Sequence, residues 1–335
     1  MTEKHNTRSF ITLIVSAILS FAAAIGVLVY INLYHTADNL FNQGDVFGEK
    51  VMKDNNYTTV QITGFLPKRV ATIEDQAELY LIEFSQRDKG KNGYAGLEVK
   101  KGDKIIDELK SKQKDLYEHP VKVLAKIRQS GSNGAIENYA SNFKDFLEEF
   151  DASYLDLAET RFYVSSFDAQ QDAFIGTLIA AGLGLLGVVF LVSAYFTRKA
   201  VGKAYGELYA SYPELNHSVD TLLDDATYCD NALGIILYKN HLITTYKNFQ
   251  VYDLTKAERI YHYIYTQKSY GITVNRTSQL IVLSKDKSYR KHKTSLLIKN
   301  VGADTDDLLQ PFFFAISQEF PDVHIGYEEK NKRPF

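Results

Sequence analysis

Hydrophobic and polar positions divide this chain into unequal blocks, and two of them contain no Asp, Glu, Lys or Arg. Ser9 to Ala37 is built around FITLIVSAILSFAAAIGVLVY, and Ala173 to Thr197 around FIGTLIAAGLGLLGVVFLVSAYF. Each exceeds the roughly 20 apolar residues that cross a hydrocarbon core about 30 Å thick at 1.5 Å per helical residue. The pattern predicts two transmembrane helices, over 10–34 and 173–197. They separate a short tail (1–9), a first large segment (35–172) and a second large segment. In the latter, 198–230 reads as a helical connector, 231–328 as a folded domain and 329–335 as a charged tail. A cleaved signal peptide competes for the first span, because Ala22-Ala23-Ala24 suits a small-residue cleavage site. The apolar run continues to Leu33, which a secretory core does not need, and favours an uncleaved anchor.

The first large segment alternates as strands do. Tyr57 to Leu66 interleaves β-branched, apolar and polar residues and is expected to stop at Pro67. Ala77–Phe84 and Tyr94–Val99 read as two further strands around a hairpin turn at Lys89–Gly93. Asp103 opens a helix with Ile105, Ile106 and Leu109 on one face, and Pro120 ends it before a strand at Val121–Ile127. From Ala135 to about Phe167, helical spacing predicts one continuous helix leading to the second span. The order strand–strand–strand–helix–strand predicts an α+β domain and fits a partly open barrel of the OB type.

In the second segment a helical stretch is expected to break at Tyr212-Pro213 and resume from Glu214. Strands are then expected at Leu233–Tyr238, His241–Tyr246, Phe249–Leu254, Arg259–Thr266, Ile272–Asn275 with Gln279–Leu283, and Ser295–Ile298. A helix capped at Thr305, with Leu308, Leu309, Phe312, Phe313 and Ile316 on its apolar side, runs to Pro321. A short strand, Val323–Tyr327, closes the pattern. Antiparallel strands closed by one C-terminal helix predict a PH-like β-barrel.

Charge adds an orientation. Lys4 and Arg8 precede the first span and Arg198, Lys199 and Lys203 follow the second, whereas Asp38, Asp45, Asp168 and Asp172 flank the opposite ends. The positive-inside rule then places both termini in the cytoplasm and 35–172 outside, in a multi-pass cell-membrane protein. Residues 35–172 hold 18 Lys and Arg against 24 Asp and Glu, a net of −6; residues 198–335 hold 18 against 16, a net of +2. The single cysteine, Cys229, falls on the cytoplasmic side, so the outer domain is built without a disulfide.

The second segment resembles the cytoplasmic domain of uncharacterised two-pass bacterial membrane proteins. The resembling positions are Leu242-Ile243, Tyr246, Phe249, Asp253-Leu254, Ile260-Tyr261, Thr305-Asp306 with Leu308-Leu309, and Phe320-Pro321 with Ile325-Gly326-Tyr327. The resemblance implies a PH-like cytoplasmic domain and carries over no activity.

Candidate chemistry is sparse. Nucleotide-binding, hydrolase, zinc-protease and kinase signatures are missing from both segments. His262 and His292 sit among Tyr and Lys, and adjacent acids such as Asp306-Asp307 diverge by about 100° on a helix. No catalytic, cofactor-binding or metal-binding residues are expected, and no nucleic-acid partner, since aromatic stacking surfaces for nucleic acid need a net basic field. The basic group Lys285, Lys287, Arg290, Lys291 and Lys293 is a candidate contact for anionic lipid; a solvated strand–turn–strand face is the plainer reading. Gly176, Ala180 and Gly184 recur every four residues, which suits close packing of the spans or a homodimer, and equally the ordinary composition of membrane helices. The expected function is a non-enzymatic sensor, scaffold or accessory subunit, joining an outer recognition domain to a cytoplasmic module. The partners are the bilayer and a protein or second copy. The rival is a ligand-binding accessory subunit of a membrane enzyme or transporter.

Overall fold

The computed structural model describes residues 8–49, 51–86, 92–286 and 292–327. Two helices are long and apolar enough to cross a membrane, Ser9–Tyr34 and Ser166–Ser211. Their large apolar side chains, among them Leu19, Leu33, Leu178 and Leu185, are exposed. That is the reverse of a helix buried in a soluble core. The chain divides into two compact units, Ser20–Leu185, and Met1–Leu19 with Leu186–Phe335, so each long helix belongs in part to both.

In the first unit, helix α1 (Arg8–Val29) ends in a π-helical turn, Tyr30–Tyr34. Helix α2 (Ala37–Gln43) follows, capped by the Thr36 side chain, which accepts from the Asn39 N–H, and closed by Gly44 at φ 73°. Five strands then form a closed barrel: β1 (Tyr57–Ile73), β2 (Ala77–Ser85), β3 (Asn92–Lys100), β4 (Val121–Gln129) and β5 (Phe162–Ser165), in the order β1-β2-β3-β5-β4. Alternation puts Val60, Ile62, Leu97, Val99, Val123, Ala125 and Val164 inside. Helix α3 (Lys104–Ser111), between β3 and β4, is capped by Asp103 and adds Ile106 and Leu109 to that core. The hairpin turn expected at Lys89–Gly93 begins in residues 87–91, outside the described residues.

Two expectations fail here for identifiable reasons. Strand β1 does not stop at Pro67 but runs to Ile73, and its register with β2 shifts between Phe65 and Arg69. The irregularity leaves the proline nitrogen without a ladder bond to supply. The single helix expected from Ala135 to Phe167 is instead α4 (Tyr139–Asp151), a 3-10 segment (Ala152–Leu157) and β5. Strand β5 exists because it is paired on both sides, parallel to β3 through Leu97↔Val164 and antiparallel to β4 through Ile127↔Val164. Helix α4 covers the outer face of the wall with Tyr139, Phe143 and Leu147. Gly96 permits this: a Cβ there would lie 2.8 Å from the Tyr139 ring and 2.9 Å from Leu79 Cδ1.

The second unit holds the later part of α5 (Ser166–Ser211), which continues well past the predicted span. After the break at Tyr212-Pro213 the chain makes only short 3-10 turns, Pro213–Leu215 and Asp220–Leu222, where the sequence predicts a resumed helix. Leu215, Val219 and Leu222 pack with Leu208 and Tyr212 against Ile236, Ile243 and Phe249. Their spacing reflects a coil laid on a sheet rather than a helix face. One sheet comprises β6 (Tyr228–Asp230), β7 (Ile235–Tyr238), β8 (His241–Thr244) and β9 (Gln250–Asp253) in sequence order. The other has the order β12-β11-β10-β13, from β10 (Ala257–Ser269), β11 (Ile272–Ser284), β12 (Lys293–Ile298) and β13 (His324–Ile325). Helix α6 (Thr305–Glu319) buries Leu309, Phe312 and Ile316 in the core that both sheets share. The expected tail, 329–335, lies outside the described residues.

Candidate functional site

One row of side chains crosses the barrel wall at the level where α5 begins. The strand registers Tyr57↔Lys126, Lys126↔Ser165 and Glu98↔Ser165 align residues of β1, β4, β5 and β3. Directly opposed residues share a face. Because Val60, Ala125, Val164 and Leu97 point inward, this row points outward. Arg128, two residues past Lys126 on β4, shares that face.

Helix α5 starts at Ser166, with no loop after β5. Its first turns carry Asp168 and Asp172. Four residues of helix rise about 6 Å and two residues of strand about 6.6 Å, so the two acids match the spacing of the two cations. Arg128 Nε lies 3.2 Å from Asp168 Oδ2, with the side chains 7% and 25% exposed, and Lys126 pairs with Asp172. The Tyr57 hydroxyl donates to Asp172 at 2.7 Å. The rest of the guanidinium is also held: Nη2 donates to the Asn133 carbonyl at 3.1 Å, and Nη1 to Asn55.

The same two strands hold the end of the first long helix. The π turn delivers His35 between two phenol rings, 4.4 Å from Tyr30 and 4.1 Å from Tyr57 between centroids. Lys122 of β4 pairs with Asp38 of α2 at 2.9 Å and lies 4.1 Å from the Phe41 ring centroid. Backbone bonds from Phe47 N to Thr59 O (2.9 Å) and from Thr59 N to Asp45 O (2.8 Å) stitch the following segment to β1. Strands β1 and β4 therefore grip both helix ends.

Burial sets the protonation of this cluster. It pushes the Glu98 carboxyl up to about 7, against a hydrogen bond from Ser165. It lowers the His35 imidazole, with the Asp172 carboxylate acting the other way. Burial and then the bond to Asp172 push the Tyr57 phenol upward. A cavity of about 350 Å³ opens beside it, lined by Tyr30, Tyr34, His35, Asp45 and Tyr57. Its phenols and imidazole suit recognition by stacking and hydrogen bonding. The Asp168 and Asp172 carboxylates nearby are engaged by Arg128 and Lys126.

A second polar chain occurs in the other unit. Asp306 Oδ1, in the first turn of α6, is 2.5 Å from His262 Nδ1, and His262 Nε2 is 3.1 Å from Ser278 Oγ. In the sequence His262 stands among Tyr and Lys, apart from carboxylates; the fold brings one to it across 44 residues. The arrangement has the connectivity of a Ser–His–Asp triad. However, Ser278 has 0% exposure, so no carbonyl carbon reaches its hydroxyl. It fastens α6 to the β10–β11 pair.

The other residues singled out from the sequence separate. Of the basic group, Lys287, Arg290 and Lys291 lie outside the described residues. Lys285 donates to the Thr255 carbonyl at 3.2 Å, and Lys293 lies 5.9 Å from the Tyr263 ring centroid. A Cβ on Gly176 would run into Ile31 Cδ1 of the first long helix, whereas Gly184 faces open space. Ala180 is buried, as are Ala17 and Ala24 of α1. Among the described residues no three His, Cys, Asp or Glu side chains are grouped to hold a metal ion. Comparison with known proteins finds no match: no family model, no curated protein and no solved structure aligns with the chain.

Proposed function

We propose that this chain is a two-pass membrane protein in which an extracytoplasmic barrel is coupled to a cytoplasmic module through one continuous helix. The observation that carries the reading is the double clamp of Arg128 on Asp168 and Lys126 on Asp172. It fixes the barrel wall to a helix of 46 residues, Ser166–Ser211, which runs uninterrupted through its charge-free stretch. A reorientation of the barrel on ligand binding is thereby a reorientation of that helix. Exposed apolar faces on both long helices support the bilayer as their solvent. The basic flank Arg198, Lys199 and Lys203 supports a cytoplasmic C-terminal segment.

The strand order β1-β2-β3-β5-β4, with α3 between β3 and β4, supports an OB-like barrel. An antiparallel meander of four strands and a second sheet of three antiparallel strands, edged by β13 parallel to β10, with α6 packed between them, support a PH-like module. The role is non-enzymatic: sensor, scaffold or accessory subunit. A ligand-binding accessory role is the second reading, favoured by the cavity at Tyr30, His35 and Tyr57. Alkaline carbonate extraction of membranes from expressing cells tests the core of the proposal. The chain stays in the pellet; release into the supernatant contradicts it.

A further inference from the structure

In the second unit, the start of the first long helix and the middle of α5 enclose a groove with a particular polarity. Its cavity, about 360 Å³, is lined by Phe10 and Ile14 from one helix and by Leu191, Ala194, Tyr195, Arg198 and Lys199 from the other. Phe10 and Ile14 stand four residues apart, and Leu191, Ala194, Tyr195 and Arg198 fall at the 0, 3, 4 and 7 positions of one helical face. Ala194, almost fully buried, forms the floor, because a larger side chain there would fill the groove.

The groove is apolar along its length and cationic at one end. The Arg198 guanidinium sits 5.3 Å from the Phe10 ring centroid, and the Lys199 ammonium 6.0 Å from that of Tyr195. Among the described residues neither cation has a carboxylate partner. Cation–π contact orients the guanidinium without neutralising it, leaving its paired donors for two oxygens of an oxyanion such as phosphate. An apolar trough ending in two uncompensated cations and a tyrosine, where the charge-free stretch of α5 stops, is complementary to one class of molecule.

We infer that this groove is a binding site for an anionic phospholipid. Its phosphate engages Arg198 and Lys199, and one acyl chain lies on Phe10, Ile14, Leu191 and Ala194. Arginine offers paired donors to phosphate oxygens and lysine a point charge. The inference rests on the two-pass reading and deepens it: the site would report the composition of the cytoplasmic leaflet at the helix that carries the barrel.

The test uses the full chain in neutral detergent, with native mass spectrometry of bound phosphatidylglycerol against phosphatidylcholine of the same acyl length. The wild-type chain retains phosphatidylglycerol preferentially. Arg198→Gln with Lys199→Gln reduces that preference roughly tenfold or more, since each cation near an anionic headgroup adds about a factor of five. Ile14→Trp, which blocks the trough and keeps both charges, lowers retention as well. Water-soluble glycerophosphoglycerol does not compete; full competition by it would make the ligand a free phosphate and overturn the lipid assignment. Equal retention of both lipids by wild type, or unchanged retention in both variants, also overturns it. Carbonate extraction of the same membranes separates the failures. A chain that leaves the membrane defeats the two-pass reading, whereas one that stays but shows no lipid preference defeats only this site.

Discussion

Arg128 on β4 and Asp168 on the first turn of α5 meet at 3.2 Å across the outer wall of the barrel. The pair joins a strand to a helix that begins one residue after the neighbouring strand ends. Removing one partner strands a largely buried charge, a change that costs about 3 kcal/mol. Arg128→Ala is therefore expected to lower the thermal unfolding midpoint of the full chain in detergent. Arg128→Met combined with Asp168→Leu recovers part of the loss, since an apolar pair of similar volume needs no desolvation, and the remainder is the lost bonds to Asn133 and Asn55. A double variant as unstable as the single one contradicts this account.

Glu98 makes stability fall with pH. Its folded carboxyl titrates at about 7 and an ordinary glutamate at 4.5, so between those values the folded chain binds more protons than the unfolded one. Its stabilising protonation is complete below 4.5 and is lost as pH rises through 7. Glu98→Gln removes this dependence and is more stable than wild type at pH 8, by an amount on the order of 3 kcal/mol at the upper limit. Thermal unfolding of both proteins from pH 5 to pH 8 reads the difference. Parallel profiles would show that Glu98 is not the titrating group.

Gly96 is held by contact rather than by backbone conformation. Its N–H donates to the Tyr139 hydroxyl at 3.0 Å, and that hydroxyl donates to the Glu159 carbonyl at 3.2 Å. The hydroxyl end of the ring is thus held by two hydrogen bonds, and the stacked Phe143 ring, 5.1 Å away between centroids, limits its retreat from an added methyl. Gly96→Ala is expected to cost about 1–3 kcal/mol through overpacking, measured as a lower denaturation midpoint. The same change at Gly184, which faces open space, leaves the midpoint unchanged.

The Asp306–His262–Ser278 chain is expected to behave as a strut. Ser278→Ala loses one buried hydrogen bond, about 1 kcal/mol of stability. A fluorophosphonate probe leaves the native wild-type chain unmodified, because the hydroxyl is sealed. Labelling at Ser278 in the native chain, read by peptide mass spectrometry, would overturn this and point to a hydrolase.

Local signals were readable and long-range pairings were not. The charge-free runs marked both long helices, and Asp103 marked the start of α3 by the side-chain bond it accepts. Strand β5 escaped because four residues, Phe162 to Ser165, lie between stretches of helical spacing. Their extended state comes from β3 and β4, both distant in sequence. Pro67 read as a strand end because the irregularity that accommodates it belongs to the pairing with β2. Asp168 and Asp172 registered only as an acidic flank. The signal that would have found the clamp is their i,i+4 spacing set against Lys126 and Arg128 at i,i+2 on a strand. No pattern in the sequence brings Asp306 to His262.

Thiol accessibility tests the central claim most directly. Cys229 is exposed in the second unit, and Tyr117 is 74% exposed between α3 and β4. A membrane-impermeant maleimide is applied to intact cells expressing either wild type or Tyr117→Cys with Cys229→Ala, at pH 8 because partial desolvation by its neighbours and then the Asp230 carboxylate raise the Cys229 thiol. The account predicts that residue 117 is labelled in intact cells and Cys229 only after the membrane is opened. Labelling of Cys229 in intact cells, or protection of residue 117 until lysis, would contradict it.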